Sequence, residues 1–257
     1  MERVPKEAMP NLAPLFGGWN ETLLLSCLQG YMGEAWADEA EKPASAQIVV
    51  GDFCFFAGIP DSTLVKNIPP AFPSETILMI PRDEAWGKLI EQTYPNRFEK
   101  TLRYAIKKEP DIFGRAALQA CAEALPPGFS LSMMDETLYH KAKTEPWSRD
   151  LCSQFPTYNA FEARGIGVMA LYGDAPVSGA ASYTVYDKGI EIEVDTKPEF
   201  RRRGLALACA AKLILVCLDR GLYPSWDAHD LRSVALAEKL GYHLDREYVT
   251  YAVLTDR

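Results

Sequence analysis

The chain has 257 residues, 48% of them hydrophobic and 24% charged, which suits a soluble protein with a sizeable core and room for two modest domains. Its formal net charge of −8 excludes a broad nucleic-acid-binding or anionic-membrane surface and leaves only a local basic site open. The opening "MERVPKEAMPNLAPLFGGWNETLLLSC" lacks the shape of a signal peptide, since Glu2 and Glu7 dilute the early positive charge and the apolar run Leu23–Leu25 is short; a cytoplasmic protein is expected.

In chain order, the pattern predicts a helix over 19–38. A strand pair follows at "QIVVGDFCFFAG" and a short buried strand at "TILMIP". Helices are predicted at 84–92, 97–107 and 115–124. "LPPGFS" (125–130) punctuates the chain and sets a boundary between domains at 1–127 and 128–257. The first carries no chemical motif and is expected to be a smaller α+β domain that shapes the substrate end. No internal repeat is visible in the sequence.

The second half reads as a strand at "FSLSMMD", a short helix at "PWSRDLCSQF", and three strands within "GIGVMALYGDAPVSGAASYTVYDKGIEIEVDT". A long helix starts at Gly204, followed by a strand at "YPSWDA", a helix at "SVALAEKLG" and a last strand at "REYVTYAVL". Cys27, Cys54, Cys121, Cys152, Cys209 and Cys217 form no C-x-x-C pair, and His140, His229 and His243 lie far apart. Reduced thiols and no metal site are expected.

The informative stretch is "VDTKPEFRRRGLALACAAKLILVCLDRG". A helix leaves its first N–H groups without intrahelical partners, and its dipole favours anions there. Gly204 and Ala206 stand where strand becomes helix, and Arg201, Arg202 and Arg203 supply cationic donors suited to phosphate. The preceding strand sets Ile190, Ile192 and Val194 on one face and Glu191, Glu193 and Asp195 on the other, while the following helix is apolar nearly all round. A pyrophosphate cradle and a plain solvated charge run are the two readings.

"EVDTKPEFRRRGLALA" resembles the acetyl-coenzyme A motif of the GNAT superfamily of N-acetyltransferases, R/Q-x-x-G-x-G/A after a strand, with Arg201, Gly204 and Ala206 in place and Pro198 upstream. "SWDAHDLRSVALAEKLGYHLDREY" resembles the family's later N-x-x-S/A-x-x-L-x-x-K-x-G-F, with Asp230, Ser233, Leu236, Lys239, Gly241 and Tyr242. "GIEIEVDT", "YPSWDA", "LAEKLGY", "AWGKLIEQTY" and "RYAIKKE" extend the likeness to a two-domain bacterial subgroup resembling zwittermicin-resistance acetyltransferases.

The resemblance implies an α/β fold. A C-terminal, mixed, mostly antiparallel sheet flanked by helices would follow a smaller α+β domain. It implies acetyl-CoA as co-substrate and no metal. Pantetheine would lie where two strands splay, on the backbone of Val194, Asp195 and Thr196. The pyrophosphate would rest on the backbone of Arg202, Arg203, Gly204, Leu205, Ala206 and Leu207, with Arg201 and its neighbours secondary. Asp230, where the family often has Asn, and Ser233 complete the expected cofactor set. Ala237 stands where many members carry the tyrosine that protonates the leaving thiolate, so either Tyr183, Tyr248 or water serves instead or the thiolate leaves unassisted.

An amine must lose a proton before it attacks a thioester, and carboxylates suit that role. Glu191, Glu193 and Asp227 are the candidates; the first two could equally be solvated strand residues. Trp226 reads as core and His229 as a loop residue. The expected function is acetyl transfer to a small-molecule or peptide primary amine by direct attack in a ternary complex, with neither nucleic acid nor membrane as partner. The alternative is a non-catalytic coenzyme A-binding sensor or scaffold module.

Overall fold

The computed structural model describes residues 1–70, 72 and 74–255. In chain order the elements are strand β1 (Glu2–Arg3), helices α1 (Met9–Leu12) and α2 (Thr22–Leu28), strands β2 (Glu34–Ala37), β3 (Ser45–Val50) and β4 (Phe53–Gly58), helix α3 (Ser62–Lys66), strand β5 (Thr76–Pro81), helix α4 (Glu84–Thr93), strand β6 (Phe98–Ile106) and helix α5 (Arg115–Glu123). Then come strand β7 (Phe129–Met133), helices α6 (Glu136–Thr144) and α7 (Tyr158–Arg164), strands β8 (Gly167–Tyr172), β9 (Ala175–Tyr186) and β10 (Gly189–Thr196), helix α8 (Leu205–Asp219), the short strands β11 (Tyr223–Ser225) and β12 (Asp227–Ala228), helix α9 (Leu231–Lys239) and strand β13 (Leu244–Leu254).

The chain divides into two compact units, Met1–Arg103 with the C-terminal stretch from Glu247, and Tyr104–Arg246. These bounds fall inside β6 and β13, not between residues 127 and 128.

In the first unit β2, β3 and β4 form an antiparallel meander, β5 joins β4 in parallel, and the C-terminal residues of β13 pair antiparallel with β5. Its core gathers Phe56, Met79, Trp86, Ile90, Tyr251 and Val253. In the second unit the sheet order is β11-β10-β9-β8-β7, antiparallel except for the parallel pair β10–β11. β12 pairs instead with Tyr104 and Ala105 of β6. Helix α8 packs across β8, β9 and β10, and α5 packs along α8. That accounts for the nearly all-round apolar sequence of α8: it has neighbours on both sides.

The mixed, mostly antiparallel sheets flanked by helices agree with the expected fold class. Three predicted elements differ. The helix over 19–38 stops at Leu28, because Gly30 turns the backbone to φ +73°, and "EAWA" beyond it becomes β2. The segment 97–107 is a strand: its end at Ala105 and Ile106 is buried, and Tyr104 and Ala105 pair with β12, a tertiary demand that outweighs helix propensity. "YPSWDA" is two strands broken at Trp226.

The dependence of β12 and α8 on residues before 128 bears on truncation. A fragment starting at Phe129 lacks both Tyr104–Ala105 and α5, whose Leu118 and Ala122 are buried. Leu118 alone stands for about 2 kcal/mol of burial, against a total stability on the order of 10 kcal/mol. Such a fragment is expected to show no cooperative thermal melt by circular dichroism, whereas a fragment starting at Tyr104 retains both elements and should melt cooperatively.

Candidate functional site

The site is built where β10 loses its neighbour. The parallel ladder runs Gly189↔Tyr223, Ile190↔Pro224, Glu191↔Ser225 and stops. At the same level the β9 register slips between Glu191 and Ile192, leaving Tyr183 as the extra residue of a bulge. A bulge bends the strand that carries it and sharpens the local twist, so β9 bends at the level where the β10–β11 ladder stops and the chain beyond β11 pairs with β6. Among the described residues no strand pairs with the far edge of β10 from Ile192 to Thr196. Its outward backbone groups can receive an extended ligand as a further strand would.

The open edge ends at a turn tied back to the strand. Arg201 Nε donates to the Thr196 carbonyl at 3.1 Å, and its guanidinium lies 3.9 Å from Asp195 Oδ1. The Thr196 hydroxyl is bonded to Ser178 Oγ at 2.7 Å, latching β10 to β9. The Thr196 N–H donates to Asp195 Oδ1 at 2.7 Å, so the backbone as well as the hydroxyl of Thr196 is tied into the turn. Burial is the largest influence on the Asp195 carboxyl and raises it, against the Thr196 N–H and Arg201. Arg203 lies over the Phe200 ring at 5.2 Å and donates to the Glu199 carbonyl, so it braces the turn. Arg202 takes a left-handed backbone conformation, φ +61°.

Gly204 is the N-cap of α8 at φ +80°. A Cβ built there meets nothing within 4 Å, so the space in front of the helix is open. The first intrahelical bond runs from Ala208 N–H to the Gly204 carbonyl at 3.1 Å. The N–H groups of Leu205, Ala206 and Leu207 thus lack intrahelical partners and face an open, positively polarised end. This fits a pyrophosphate.

Across the split, α9 presents the second half. Asp230 caps the helix: Oδ1 accepts from the N–H groups of Arg232 and Ser233 at 2.9 Å each, and Oδ2 accepts from Arg232 Nε at 2.8 Å and from its Nη2. A carboxylate has about four lone-pair sites, so this acceptor is filled. Asp230 positions the turn and has no free lone pair for an incoming amide. Burial raises its carboxyl, but the Ser233 N–H and Arg232 outweigh it and hold the group below the usual aspartate range. Ser233 Oγ accepts from Trp226 Nε1 at 3.0 Å, and Trp226 is core, as expected.

The Asp230 arrangement stabilises the fold above the unfolded aspartate pKa, near 4, and that contribution is lost as pH falls through the lower folded value. Asp230→Ala is expected to cost about 1 kcal/mol at neutral pH, the usual worth of an N-cap. Asp230→Asn keeps the cap but loses the ion pair. Its Tm deficit should shrink between pH 7 and pH 3, and a deficit that grows on acidification would reverse the sign argued here.

The three carboxylates differ. Glu191 is only 6% exposed, so it is not a solvated strand residue. The cause is local: β11 still covers this part of β10, and tyrosines crowd it. Tyr186 and Tyr223 are raised above the ordinary tyrosine range, chiefly by burial and in smaller part by the Glu191 charge. Glu193 is half-buried, beyond the end of the ladder, and Asp227 is half-buried on β12 opposite Ala105. His229 is exposed. Ala237 is fully buried in α9, so its position faces the core. Sequence reasoning missed the tyrosine surround of Glu191 and the break at Trp226. Pro224 inside a predicted strand was the available signal for the latter.

The described cysteines are free thiols. Burial pushes those of Cys209 and Cys217 up to about 12 and that of Cys152 up to about 11. They are protonated at neutral pH. Among the described residues no group of His, Cys, Asp and Glu is placed to hold a metal, and no helix is long and apolar enough to cross a membrane.

Comparison with known proteins adds the following. The sequence profile of the GNAT acetyltransferase family matches residues 13–251. An uncharacterised N-acetyltransferase of Bacillus subtilis (strain 168), YdfB, is 27% identical over 186 residues; the match covers 69% of this chain and 66% of that protein, just under two thirds of its length. The crystal structure of a GCN5-related N-acetyltransferase-like protein from Streptococcus suis 89/1591 is 44% identical, with a TM-score of 0.90 over 96% of this chain and 98% of that one. A GCN5-related N-acetyltransferase from Kribbella flavida shares the fold at 17% identity, with a TM-score of 0.54 over 82% of this chain and 86% of that one.

Proposed function

The chain belongs to the GNAT acetyltransferase family, and on that premise we propose that it moves an acetyl group from acetyl-CoA to a primary amine by direct attack in a ternary complex. The observation that carries this reading is the split between β10 and β11, which opens at Glu191↔Ser225 and runs down to the uncovered turn at Gly204. The co-substrate supplies an acyl group already activated as a thioester. The backbone of Val194, Asp195 and Thr196 holds the pantetheine arm. The N–H groups of Arg202 to Leu207 hold the pyrophosphate, and Asp230 and Ser233 fix the opposite wall. Glu191 or Glu193 takes the proton from the ammonium, which leaves the amine lone pair free for attack. Every residue in these roles lies within 128–257.

The buried, protonated thiols support direct attack over a covalent acetyl-cysteine route. The sequence likeness of "GIEIEVDT" and "LAEKLGY" supports the zwittermicin-resistance-like subgroup. One observation favours a second reading, a non-catalytic coenzyme A-binding module: the place of the usual tyrosine is Ala237, buried in the core. Of the phenols that could replace it, Tyr183 belongs to the bulge beside the split, and Tyr248 lies in the first unit.

The test is thiol release from acetyl-CoA with a panel of amines, alongside calorimetry of acetyl-CoA alone. Binding with amine-dependent release supports the enzyme, and binding without release on any amine supports the module. Thiol release without an amine, with a 42-Da mass gain on the protein, would replace the ternary complex by a covalent route (the gain being about one acetyl group, as covalent catalysis requires).

A further inference from the structure

Resting on the cofactor reading above, we infer that the first half of the chain is a second copy of the same fold, closed to cofactor, and that the two copies have traded their last strands. The order of elements carries it. β1, α1, α2, β2, β3, β4, α3, β5, α4, β6 repeats as β7, α6, α7, β8, β9, β10, α8, β11/β12, α9, β13. The pairings repeat too. In each copy the first strand lies antiparallel on the second, three strands form an antiparallel meander, and the strand after the next helix joins the third meander strand in parallel. The joint at 127/128 falls between the copies.

The last strands are exchanged. The first copy's parallel strand, β5, is flanked by the C-terminal residues of β13, Tyr251↔Met79 to Leu254↔Thr76. The second copy's β12 is flanked by Tyr104 and Ala105 of β6. This is why the compact units divide inside those two strands.

The caps align the copies residue by residue. Asp83 caps α4 as Asp230 caps α9, each through Oδ1 accepting from the N–H groups two and three residues on. On this alignment Gly87 and Ile90 match Val234 and Ala237, all buried. Trp86 then matches Ser233. Trp86 is 0% exposed, stacks on Phe56 with ring centroids 5.1 Å apart, and its indole N–H donates to the Gly58 carbonyl at 3.0 Å. It thus occupies the end of β4, the place that corresponds to the open end of β10. The β4–β5 ladder runs on to Phe56↔Pro81 and is extended by Arg82 N–H to the Phe56 carbonyl at 3.1 Å. The turn is closed as well. Where α8 has Gly204 and open space, α3 has Asp61, whose carboxylate accepts from the Thr63 N–H at 2.7 Å and puts negative charge where a phosphate would have to sit. With only five residues, α3 has little dipole to offer. The first copy therefore has a filled cleft and a capped turn, and the chain has one cofactor site.

Two measurements on the full chain test this. Hydrogen exchange of the free protein needs no ligand. The Arg82 amide and the β5 amides that face β4 should exchange at least about 100-fold more slowly than the β10 amides beyond Glu191 that face away from β9. Equal rates would show the first cleft to be as open as the second and overturn the inference, whatever the fate of the cofactor reading. Calorimetry with acetyl-CoA should give one molecule per chain, and Ser233→Trp, which copies the Trp86 plug, should remove binding while the melting curve stays cooperative. A second equivalent bound, or full affinity in Ser233→Trp, overturns the inference. No binding to the wild type sinks the cofactor reading alone and leaves the exchange rates to decide this one.

Discussion

Gly204→Val is expected to weaken acetyl-CoA binding by at least about 100-fold, near 2.7 kcal/mol. Two effects act together. At φ +80° a β-branched residue is strained, by about 1–3 kcal/mol. The relaxed alternative rotates the cap and turns the first N–H groups of α8 away from a common centre. The added carbons also enter the space that nothing in the protein fills, which is where phosphate oxygens must come to reach those N–H groups. Gly204→Ala carries most of the strain and less of the bulk, so it should fall between valine and wild type. Arg201→Ala should cost less than either, because its guanidinium is exposed and its ion pair with Asp195 is long, worth about 0–1 kcal/mol in water. Calorimetry on all three, with far-UV melts to show that α8 persists, ranks the effects. Unchanged affinity in Gly204→Val ends the cradle reading.

That cradle was legible because its signals are local. A glycine after three arginines, a strand before and an apolar helix after are consecutive in the chain. The split was half legible: the strand could be read, but not where its neighbour leaves it, since the end of a ladder is a property of two distant segments. The same limit explains 97–107. Its residues suit a helix, and strand pairing, including that of Tyr104 and Ala105 with β12, makes it a strand. The duplication was not legible at all. Topology is kept while the side chains have diverged, so that Trp86 and Ser233 share a position without sharing any chemistry. Asp230 shows the converse. Its place in the motif points toward the cofactor, yet a carboxylate next to two helix N–H groups and an arginine is already satisfied.

Glu191→Gln or Glu193→Gln is expected to lower turnover by on the order of 100-fold or more, the usual worth of a general base, with little change in cofactor affinity. The two positions separate by environment. Glu191 is enclosed beside Tyr186 and Tyr223 at the last rung of the ladder. Glu193 sits one step along the same face, where the edge is open. Glutamine keeps the shape of either side chain and removes only the charge and the basicity. At Glu191 the loss of charge has a readout apart from catalysis: Tyr186 and Tyr223 are held up in part by that charge, so their phenols should titrate lower in Glu191→Gln. Without its base, the enzyme must wait for amine that is already unprotonated. Below the amine's own pKa that fraction rises about tenfold per pH unit, so the deficit against wild type should shrink steadily as pH rises. A deficit that is flat with pH would mean that the carboxylate orients the amine and does not take its proton. If both variants turn over at the wild-type rate at neutral pH, neither is the base. Asp227, half-buried on the strand that leaves the split, is then the carboxylate to replace.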